Sequence, residues 1–217
     1  MTCPYSAAPR VYAILDTGYV PDLAWEVTCD ALLAGGARWL QVRAKNSSSI
    51  ERKQLVLRVY DRICEAGATM IVNDDLALAA SLPGAGLHVG QEDTDPLTAR
   101  RVLGEGRILG LSTHTPSQAR GALAWGSGLL DYFAVGPVFA TQTKPSYTPV
   151  GLRLVEEVAS WNPALPWFAI GGVSRRTLTQ VLKAGASRVV VVSDILRDPD
   201  PAAAFASLNE ATNASSR

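Results

Sequence analysis

Three cationic side chains stand where apolar segments of the chain give way to polar residues. Arg43 and Lys45 are two residues apart at the end of one such segment, and Lys144 lies in a long polar stretch after another. Residues two apart on an extended strand project to the same side. Any one of these cations alone is typical of a solvated surface, but three at one mouth repel one another unless a multiply charged ligand binds. The pattern therefore predicts a binding site for such an anion.

Two carboxylates follow two further apolar segments. Asp74 comes directly after Asn73, and Asp93 ends the run Gly90-Gln-Glu-Asp. Mg2+ is usually held by one or two carboxylates, together with water and substrate phosphate oxygens. The alternative interpretation makes Asp74 a helix N-cap and Asp93 a turn residue. Cations and carboxylates around one cavity favour a magnesium-bound diphosphate over either group alone.

Two later segments have the composition of a phosphate site. Gly171-Gly172 ends the seventh apolar segment, and Val192-Ser193-Asp194 ends the eighth. Backbone N–H groups from two such loops bind phosphate in many barrels, and glycine lets the backbone approach the anion closely. A tight turn is the alternative interpretation of the two glycines. Their place on the seventh segment favours phosphate binding.

The two histidines give a weaker signal. His88 lies inside an apolar segment, which favours a packed position in the protein interior, whereas His114 follows Ser112-Thr113 and leaves contact with a ligand open. No Ser-His-Asp or Cys-His order suggests nucleophilic catalysis. No G-x-G-x-x-G motif follows a strand to indicate a dinucleotide.

Eight short β-prone segments would position these side chains. They fall at residues 11–15, 39–43, 69–72, 86–89, 108–111, 132–135, 167–170 and 189–192. Helical patterns lie between and after them, at 22–34, 50–66, 76–82, 96–103, 116–125, 152–160, 174–183 and 202–208. This alternation predicts a single-domain parallel (β/α)8 TIM barrel of the α/β class, with the carboxyl ends of all strands on one face. An open doubly wound sheet is the alternative, and the long stretch from 136 to 151 predicts a functional loop or lid.

Composition limits the classes of function. The 217 residues predict one domain, with an ordered core from about 9 to 208 and a polar C-terminal tail, and 20 basic and 20 acidic residues give a net charge of zero. Such a balance argues against a nucleic-acid or membrane partner, and it leaves homo-oligomerisation open. Three scattered cysteines predict free, buried thiols rather than disulfides or a zinc site. No signal peptide or membrane-spanning stretch is evident, so we expect a cytoplasmic protein.

Seven segments together resemble the thiamine-phosphate synthase (thiamine-phosphate pyrophosphorylase) family. They are QVRAK (41–45), IVND (71–74), GLHVGQED (86–93), ILGLSTHT (108–115), DYFAVGPVFATQTK (131–144), AIGGV (169–173) and VVVVSDI (189–195). They run in order with family-like spacing over nearly the whole domain. Three positions depart from the commonest pattern. Asp75 and Ala77 stand where many members carry Arg and Asp, and Ala85 stands where a frequent Asp-Gly opens the fourth strand.

The resemblance implies a transferase that joins hydroxymethylpyrimidine diphosphate to a thiazole ethyl phosphate, with or without a carboxyl group, and releases pyrophosphate. It implies pyrimidine contact for Gln41, and thiazole contact for Thr141 and Thr143. The thiazole phosphate would lie on Gly172, Val192 and Ser193. The diphosphate would be held by Arg43, Lys45, Asn73, Ser112 and Lys144, and its Mg2+ by Asp74 and Asp93. Arg43, Lys45, Ser112 and Lys144 are the predicted catalytic residues, because the family is thought to ionise the C–O bond before the thiazole nitrogen attacks.

Three other functions stay open. A thiazole tautomerase of the same barrel family would aromatise a thiazole phosphate without diphosphate or metal, and would not need all of the cations and carboxylates present here. A non-catalytic sensor of thiamine phosphates would not need groups that stabilise a transition state. Another phosphate-binding isomerase or lyase would need an acid/base pair at the strand ends, and none stands out apart from the two aspartates.

Overall fold

Eight parallel strands form a closed barrel in the order of the sequence. The computed structural model describes residues 2–4, 7–45, 47–143 and 147–214. The strands are β1 Val11–Asp16, β2 Trp39–Arg43, β3 Thr69–Asn73, β4 Gly86–Val89, β5 Leu109–Thr113, β6 Tyr132–Val135, β7 Trp167–Ala169 and β8 Val189–Val191. Because β1 pairs with both β2 and β8, the sheet has no open edge. The predicted barrel is confirmed, and the open doubly wound sheet is excluded.

Helices alternate with the strands around the outside of the barrel. They are α1 Trp25–Ala34, α2 Ser49–Glu65, α3 Leu76–Ser81, α4 Pro96–Leu103, α5 Pro116–Trp125, α6 Gly151–Ser160, α7 Leu178–Lys183, α8 Ser193–Leu196 and α9 Pro201–Ala214. Local signals start several of them. Ser48 and Glu51 form a reciprocal capping box at α2, and the side chains of Asp75, Asp95 and Thr115 accept backbone hydrogen bonds at the starts of α3, α4 and α5.

The last three helices differ most from the sequence-based expectation. The helix expected to begin at Ser174 begins at Leu178, because the preceding residues form a turn in which the Ser174 amide donates to the Thr177 hydroxyl at 2.9 Å. A short helix, α8, replaces the loop expected after β8. The last helix extends to Ala214 rather than ending at Leu208, since Thr212 is buried and its hydroxyl donates to the Leu208 carbonyl. Residues 209–214, expected to belong to a polar tail, are therefore helical.

The expectation of three free thiols is wrong. Cys3 and Cys64 form a disulfide across 61 residues, and only Cys29 is a free thiol, buried in α1. The N-terminal segment lies against the barrel, where the Cys3 amide donates to the Pro83 carbonyl at 3.0 Å. That docking brings Cys3 to the end of α2, which sequence spacing alone does not reveal. Burial raises the pKa of the Cys29 thiol to about 12.

Two apolar layers hold the barrel together. The larger lies between the sheet and the helices, and the smaller fills the barrel interior. The interior layer is largely aromatic, with Tyr12, Trp39, Tyr132 and Phe168 packed at ring-centroid distances of 5.1 to 5.9 Å. This layer forms a closed floor below the carboxyl ends of the strands. Within the described residues, no helix is both long and apolar enough to cross a membrane.

Candidate active site at the carboxyl ends of the strands

A cavity opens at the carboxyl ends of the strands, above the aromatic floor. Most of the predicted substrate-binding residues meet in its wall. These are Gln41, Arg43, Asn73, Ser112, Thr141, Thr143, Gly172, Val192 and Ser193. His88 and His114 also line the cavity, and His88 is buried in the barrel interior, as expected. Lys45, Asp74 and Asp93 are not in the wall, and Lys144 lies outside the described residues.

Arg43 is held at the cavity by a buried carboxylate. Its Nη1 donates to Asp16 Oδ2 at 2.6 Å, and the two side chains are 10% and 1% exposed. The strand register places Asp16 and Arg43 side by side at the ends of β1 and β2. The Nε of Arg43 is buried and has no hydrogen-bond partner within the described part of the chain. An anion in the cavity would supply an acceptor for a cation that is already oriented.

Asp16 was not among the predicted site residues, and it corrects the charge argument. The cations were expected to repel one another without an anion, yet Arg43 is compensated by Asp16. Lys45 also has a partner, since its Nζ lies 3.6 Å from Asp74 Oδ2. Two of the three predicted cations are therefore paired within the protein itself. A bound anion would therefore be a second partner for Arg43 and Lys45 rather than their only one.

Asp74 is not the cap of the following helix. The side chain of Asp75 takes that role, accepting from the Leu78 amide at 3.0 Å and pairing with Arg52 at 2.9 Å. Asp74 adopts a left-handed backbone conformation, with φ of 63°, while its amide donates to the His88 carbonyl at 2.9 Å. A non-glycine residue in this conformation is uncommon. The alternative interpretation of Asp74 as a helix N-cap is therefore wrong. The N-cap is Asp75, one of the residues that depart from the common family pattern.

Asp93 closes a turn after β4. Its Oδ2 accepts from the Gly90 amide at 2.8 Å. A β-carbon at position 90 would lie 2.8 Å from the same oxygen, so glycine permits this approach. This contact agrees with the alternative interpretation of Asp93 as a turn residue.

The glycines at the end of β7 lie against the loop that follows β6. Gly171 and Gly172 have φ of 93° and 67°, and a β-carbon on Gly172 would lie 2.6 Å from the β-carbon of Phe139. Any other residue would therefore be strained and crowded at this position. Across the cavity wall, Ser193 begins the short helix α8. Gly172 and Ser193 both line the cavity, and the backbone at a glycine turn and at a helix start suits a phosphate group.

The predicted lid is anchored at both ends. Val138 and Phe139 donate to the carbonyls of Ile170 and Gly171, and Val150 donates to that of Pro137. Residues 144–146 within the loop lie outside the described chain, and the two threonines before them line the cavity.

Side chains from the loop between β1 and α1, from the end of β2 and from the end of α8 hold the described part of this lid. The Tyr19 hydroxyl lies 2.9 Å from the Thr143 hydroxyl, and Arg43 Nη2 donates to the Thr143 carbonyl at 3.3 Å. Arg197 donates to the Gln142 side chain at 2.6 Å and lies over the Tyr19 ring at 5.0 Å. Tyr19 and Arg197 were missed by sequence reasoning, because neither lies in a recognisable motif.

The oxygen atoms of Asp74, Asp93 and Asn73 fit a magnesium ion only if a bound ligand supplies the rest of its coordination shell. Within residues 2–4, 7–45, 47–143 and 147–214, no group of three or more His, Cys, Asp or Glu side chains could hold a metal ion. Two carboxylates after neighbouring strands, with Asn73 beside them, supply oxygen ligands. Mg2+ accepts such a set when water and phosphate oxygens take the remaining positions.

The family model for thiamine monophosphate synthase matches residues 11–195 of this chain. A thiamine-phosphate synthase of an Arthrobacter species (strain FB24) is 42% identical over 206 residues, covering 85% of this chain and 86% of that protein. The thiamine biosynthesis bifunctional protein ThiED of Geobacter sulfurreducens is 42% identical over 175 residues. That match covers 81% of this chain, which spans only 35% of the bifunctional protein.

A solved structure extends the likeness to the fold. Thiamine phosphate pyrophosphorylase from Pyrococcus furiosus superposes with a TM-score of 0.81 at 25% sequence identity. The match covers 95% of this chain and 96% of that one. The residues that the family model matches, 11–195, include all eight strands and the residues that line the cavity at their carboxyl ends.

Proposed function

The chain belongs to the thiamine monophosphate synthase family, and we propose that it condenses hydroxymethylpyrimidine diphosphate with a thiazole ethyl phosphate. The products would be thiamine phosphate and pyrophosphate. One observation carries this proposal: a single cavity has a cationic, polar end at Arg43 and Ser112 and a backbone-amide end at Gly172 and Ser193. Two anionic groups on two substrates could therefore bind with their reactive atoms between them.

The diphosphate would bind at the end formed by β2, β3 and β5. Arg43 enters this end with its guanidinium fixed by Asp16 and with Nε free of a protein partner among the described residues. Asn73 and Ser112 lie in the same wall and can donate further hydrogen bonds. Lys45 stands outside the wall beside Asp74. Lys45 and Lys144 are proposed to hold the diphosphate as well.

Asp74 and Asp93 would hold Mg2+ together with oxygens of the diphosphate. When bound, the ion would neutralise negative charge on the departing pyrophosphate. Before that, the Lys45 ammonium is the cation beside Asp74, at 3.6 Å. The left-handed backbone of Asp74 and the turn between Gly90 and Asp93 would orient the two carboxylates for this role.

The thiazole phosphate would bind at the opposite end. The backbone of Gly172, Val192 and Ser193 would receive its phosphate, and Thr141 and Thr143 would contact its ring. The hydrogen bond between Thr143 and Tyr19 would hold the lid over this ring. Water would then be excluded from the reactive carbon, which protects a carbocation from hydrolysis.

The reaction needs charge stabilisation more than proton transfer. The bond between the pyrimidine methylene carbon and the diphosphate oxygen breaks first, and the electron pair leaves with pyrophosphate. The lone pair of the thiazole nitrogen then forms the new C–N bond, so no proton has to be removed from the nucleophile. A carboxylated thiazole would also release carbon dioxide. Arg43, Ser112, Lys45 and Lys144 would stabilise the departing anion, and the cavity would orient the two rings.

A pyrophosphate-release assay tests this function. Purified protein would receive each substrate alone, both together with Mg2+, and both with EDTA. Release that requires both substrates and Mg2+ supports the proposal. Binding of thiazole phosphate without any release would instead point to the tautomerase or the sensor.

A further inference from the structure

A continuous hydrogen-bond chain crosses the barrel interior and joins two walls of the cavity. Gln41 Nε2 lies 2.6 Å from the Tyr12 hydroxyl, which lies 3.0 Å from the Tyr132 hydroxyl. The Tyr132 hydroxyl lies 2.8 Å from His88 Nδ1, and His88 Nε2 lies 2.8 Å from the Ser112 hydroxyl. We call these five side chains the interior relay. All five are buried, and its two ends, Gln41 and Ser112, both line the cavity.

Counting protons gives the relay a direction. The Gln41 amide nitrogen can only donate, so the Tyr12 oxygen accepts from it and must send its single proton to Tyr132. Tyr132 then sends its own proton to His88 Nδ1. A neutral imidazole that accepts at Nδ1 carries its proton on Nε2, and that proton goes to Ser112. The Ser112 hydrogen is left over and can be donated into the cavity.

The two phenols keep the protons that this count requires. Burial raises the pKa of Tyr12 and of Tyr132 well above the ordinary value for tyrosine. Neither hydroxyl ionises under working conditions, so each has one proton to pass along the relay.

The opposite direction would present different groups to the cavity. If the Gln41 carboxamide turned its oxygen to Tyr12, the phenol would donate to it, and every later bond would reverse. His88 would carry its proton on Nδ1, and Ser112 would donate to His88 rather than into the cavity. Its lone pairs would then face the cavity, where they would repel an anion.

Packing does not explain the hydroxyl groups. Phe168 belongs to the same aromatic layer, with ring centroids 5.5 Å from Tyr12 and 5.4 Å from Tyr132. The layer therefore accommodates phenylalanine. Polar atoms buried in such a layer bring a desolvation cost, which the relay offsets only because every hydroxyl is hydrogen-bonded.

We propose that the interior relay holds the Ser112 hydroxyl as a hydrogen-bond donor into the cavity and couples it to the orientation of the Gln41 carboxamide. Tyr12, Tyr132 and His88 are then positioning residues, which act on the substrate through the two ends of the relay. On the function proposed above, on which this inference rests, the two ends of the relay meet the ring and the diphosphate of one substrate. A pyrimidine that orders the Gln41 amide would thereby set Ser112 to receive the anion.

The tautomer of His88 gives the first test, because it reports the direction of the relay. Protein labelled with 15N in histidine contains only two such side chains, and a His114→Gln variant assigns the signals. The free wild-type protein should show a neutral His88 with its proton on Nε2. Gln41→Glu places an ionised, acceptor-only group against Tyr12 at pH 8, and it should move the His88 proton to Nδ1, three hydrogen bonds away. Tyr132→Phe removes the donor to Nδ1 and should also increase the Nδ1–H form.

A double-mutant cycle gives the second test. Binding of inorganic pyrophosphate with Mg2+ should weaken about three- to tenfold in Tyr132→Phe, because one hydrogen bond to the anion is no longer oriented. In a Ser112→Ala background the same change should have no further effect, since it acts through Ser112. Tyr60→Phe is the matched control. It removes a phenol that donates to the Pro83 carbonyl outside the barrel interior, and it should stay within about twofold of wild type.

Any of three results would overturn the proposal. The first is a wild-type His88 with its proton on Nδ1, and the second is a tautomer that neither Gln41→Glu nor Tyr132→Phe changes. The third is a loss of pyrophosphate affinity in the double variant equal to the sum of the losses in Tyr132→Phe and Ser112→Ala. None of these measurements uses the pyrimidine or thiazole substrate. A protein that lacked synthase activity could still show the relay, and an active synthase could fail the tautomer test, so the two failures are distinguishable.

Discussion

Replacing Asp16 by asparagine removes one charge from the site while keeping the shape of the side chain. Asp16 is 1% exposed and its oxygen lies 2.6 Å from Arg43 Nη1, whose side chain is 10% exposed. Removing one partner of so buried a pair leaves an uncompensated charge, which costs about 3 to 5 kcal/mol. The free energy of unfolding should therefore fall by about that amount. Urea unfolding at neutral pH measures it, as a decrease of one to a few molar in the midpoint if the slope is about 2 kcal/mol per molar.

The same variant should respond more strongly to an anion. Magnesium pyrophosphate would supply the negative charge that Arg43 has lost, so it should raise the unfolding free energy of Asp16→Asn by more than it raises that of wild type. Asp131→Asn is the matched control, because Asp131 pairs with Arg100 at 2.6 Å away from the cavity wall. Its free energy of unfolding should fall, but magnesium pyrophosphate should raise that free energy by no more than it does in wild type. A stability within 1 kcal/mol of wild type, or an equal gain in all three proteins, would refute the role given to Asp16.

Three further changes probe the metal site, the phosphate site and a surface ion pair. Asp93→Ala should reduce turnover strongly and leave thiazole phosphate binding nearly unchanged in calorimetry, because only the metal end is altered. Gly172→Ala should weaken thiazole phosphate binding at least tenfold in the same assay, since its φ of 67° is strained for alanine and the new β-carbon would lie 2.6 Å from that of Phe139. Hydrogen bonding to Arg58 lowers the pKa of Glu26 from 4.5 to about 2, so this contribution to stability is present above pH 4.5 and lost as the pH falls through about 2. Arg58→Met should therefore cost up to about 1 kcal/mol at pH 7, and the difference from wild type in urea unfolding should shrink towards pH 2.

Each of these has a clear contrary outcome. Unchanged turnover in Asp93→Ala would remove that carboxylate from the metal site. Normal thiazole phosphate affinity in Gly172→Ala would move the phosphate elsewhere. A difference between Arg58→Met and wild type that persists to pH 2 would show that pairing with Glu26 is not its source.

The barrel and most of the cavity wall could be predicted from the sequence because both depend on local patterns. Each buried strand is a short apolar run, and its end is marked by a polar residue such as Arg43, Asn73 or Ser112. Parallel closure then brings these ends together without any further information. The roles assigned to these residues stay predictions until they are tested with substrates.

The parts that were missed depend on contacts between distant segments. Asp16 looks like an ordinary strand-end residue until the register places it beside Arg43. Tyr12 and Tyr132 read as apolar core in the sequence, and their hydroxyls meet across 120 residues only in the closed barrel. The Cys3–Cys64 disulfide likewise depends on where the N-terminal segment docks.

The most direct test of the proposed synthase is a 31P NMR time course of one reaction mixture. It would contain the protein, Mg2+, hydroxymethylpyrimidine diphosphate and thiazole ethyl phosphate, whose phosphorus signals differ from those of pyrophosphate and thiamine phosphate. The account predicts that pyrophosphate and thiamine phosphate appear one for one as both substrates disappear. Pyrophosphate without thiamine phosphate, or a diphosphate ester that persists unchanged, would contradict it.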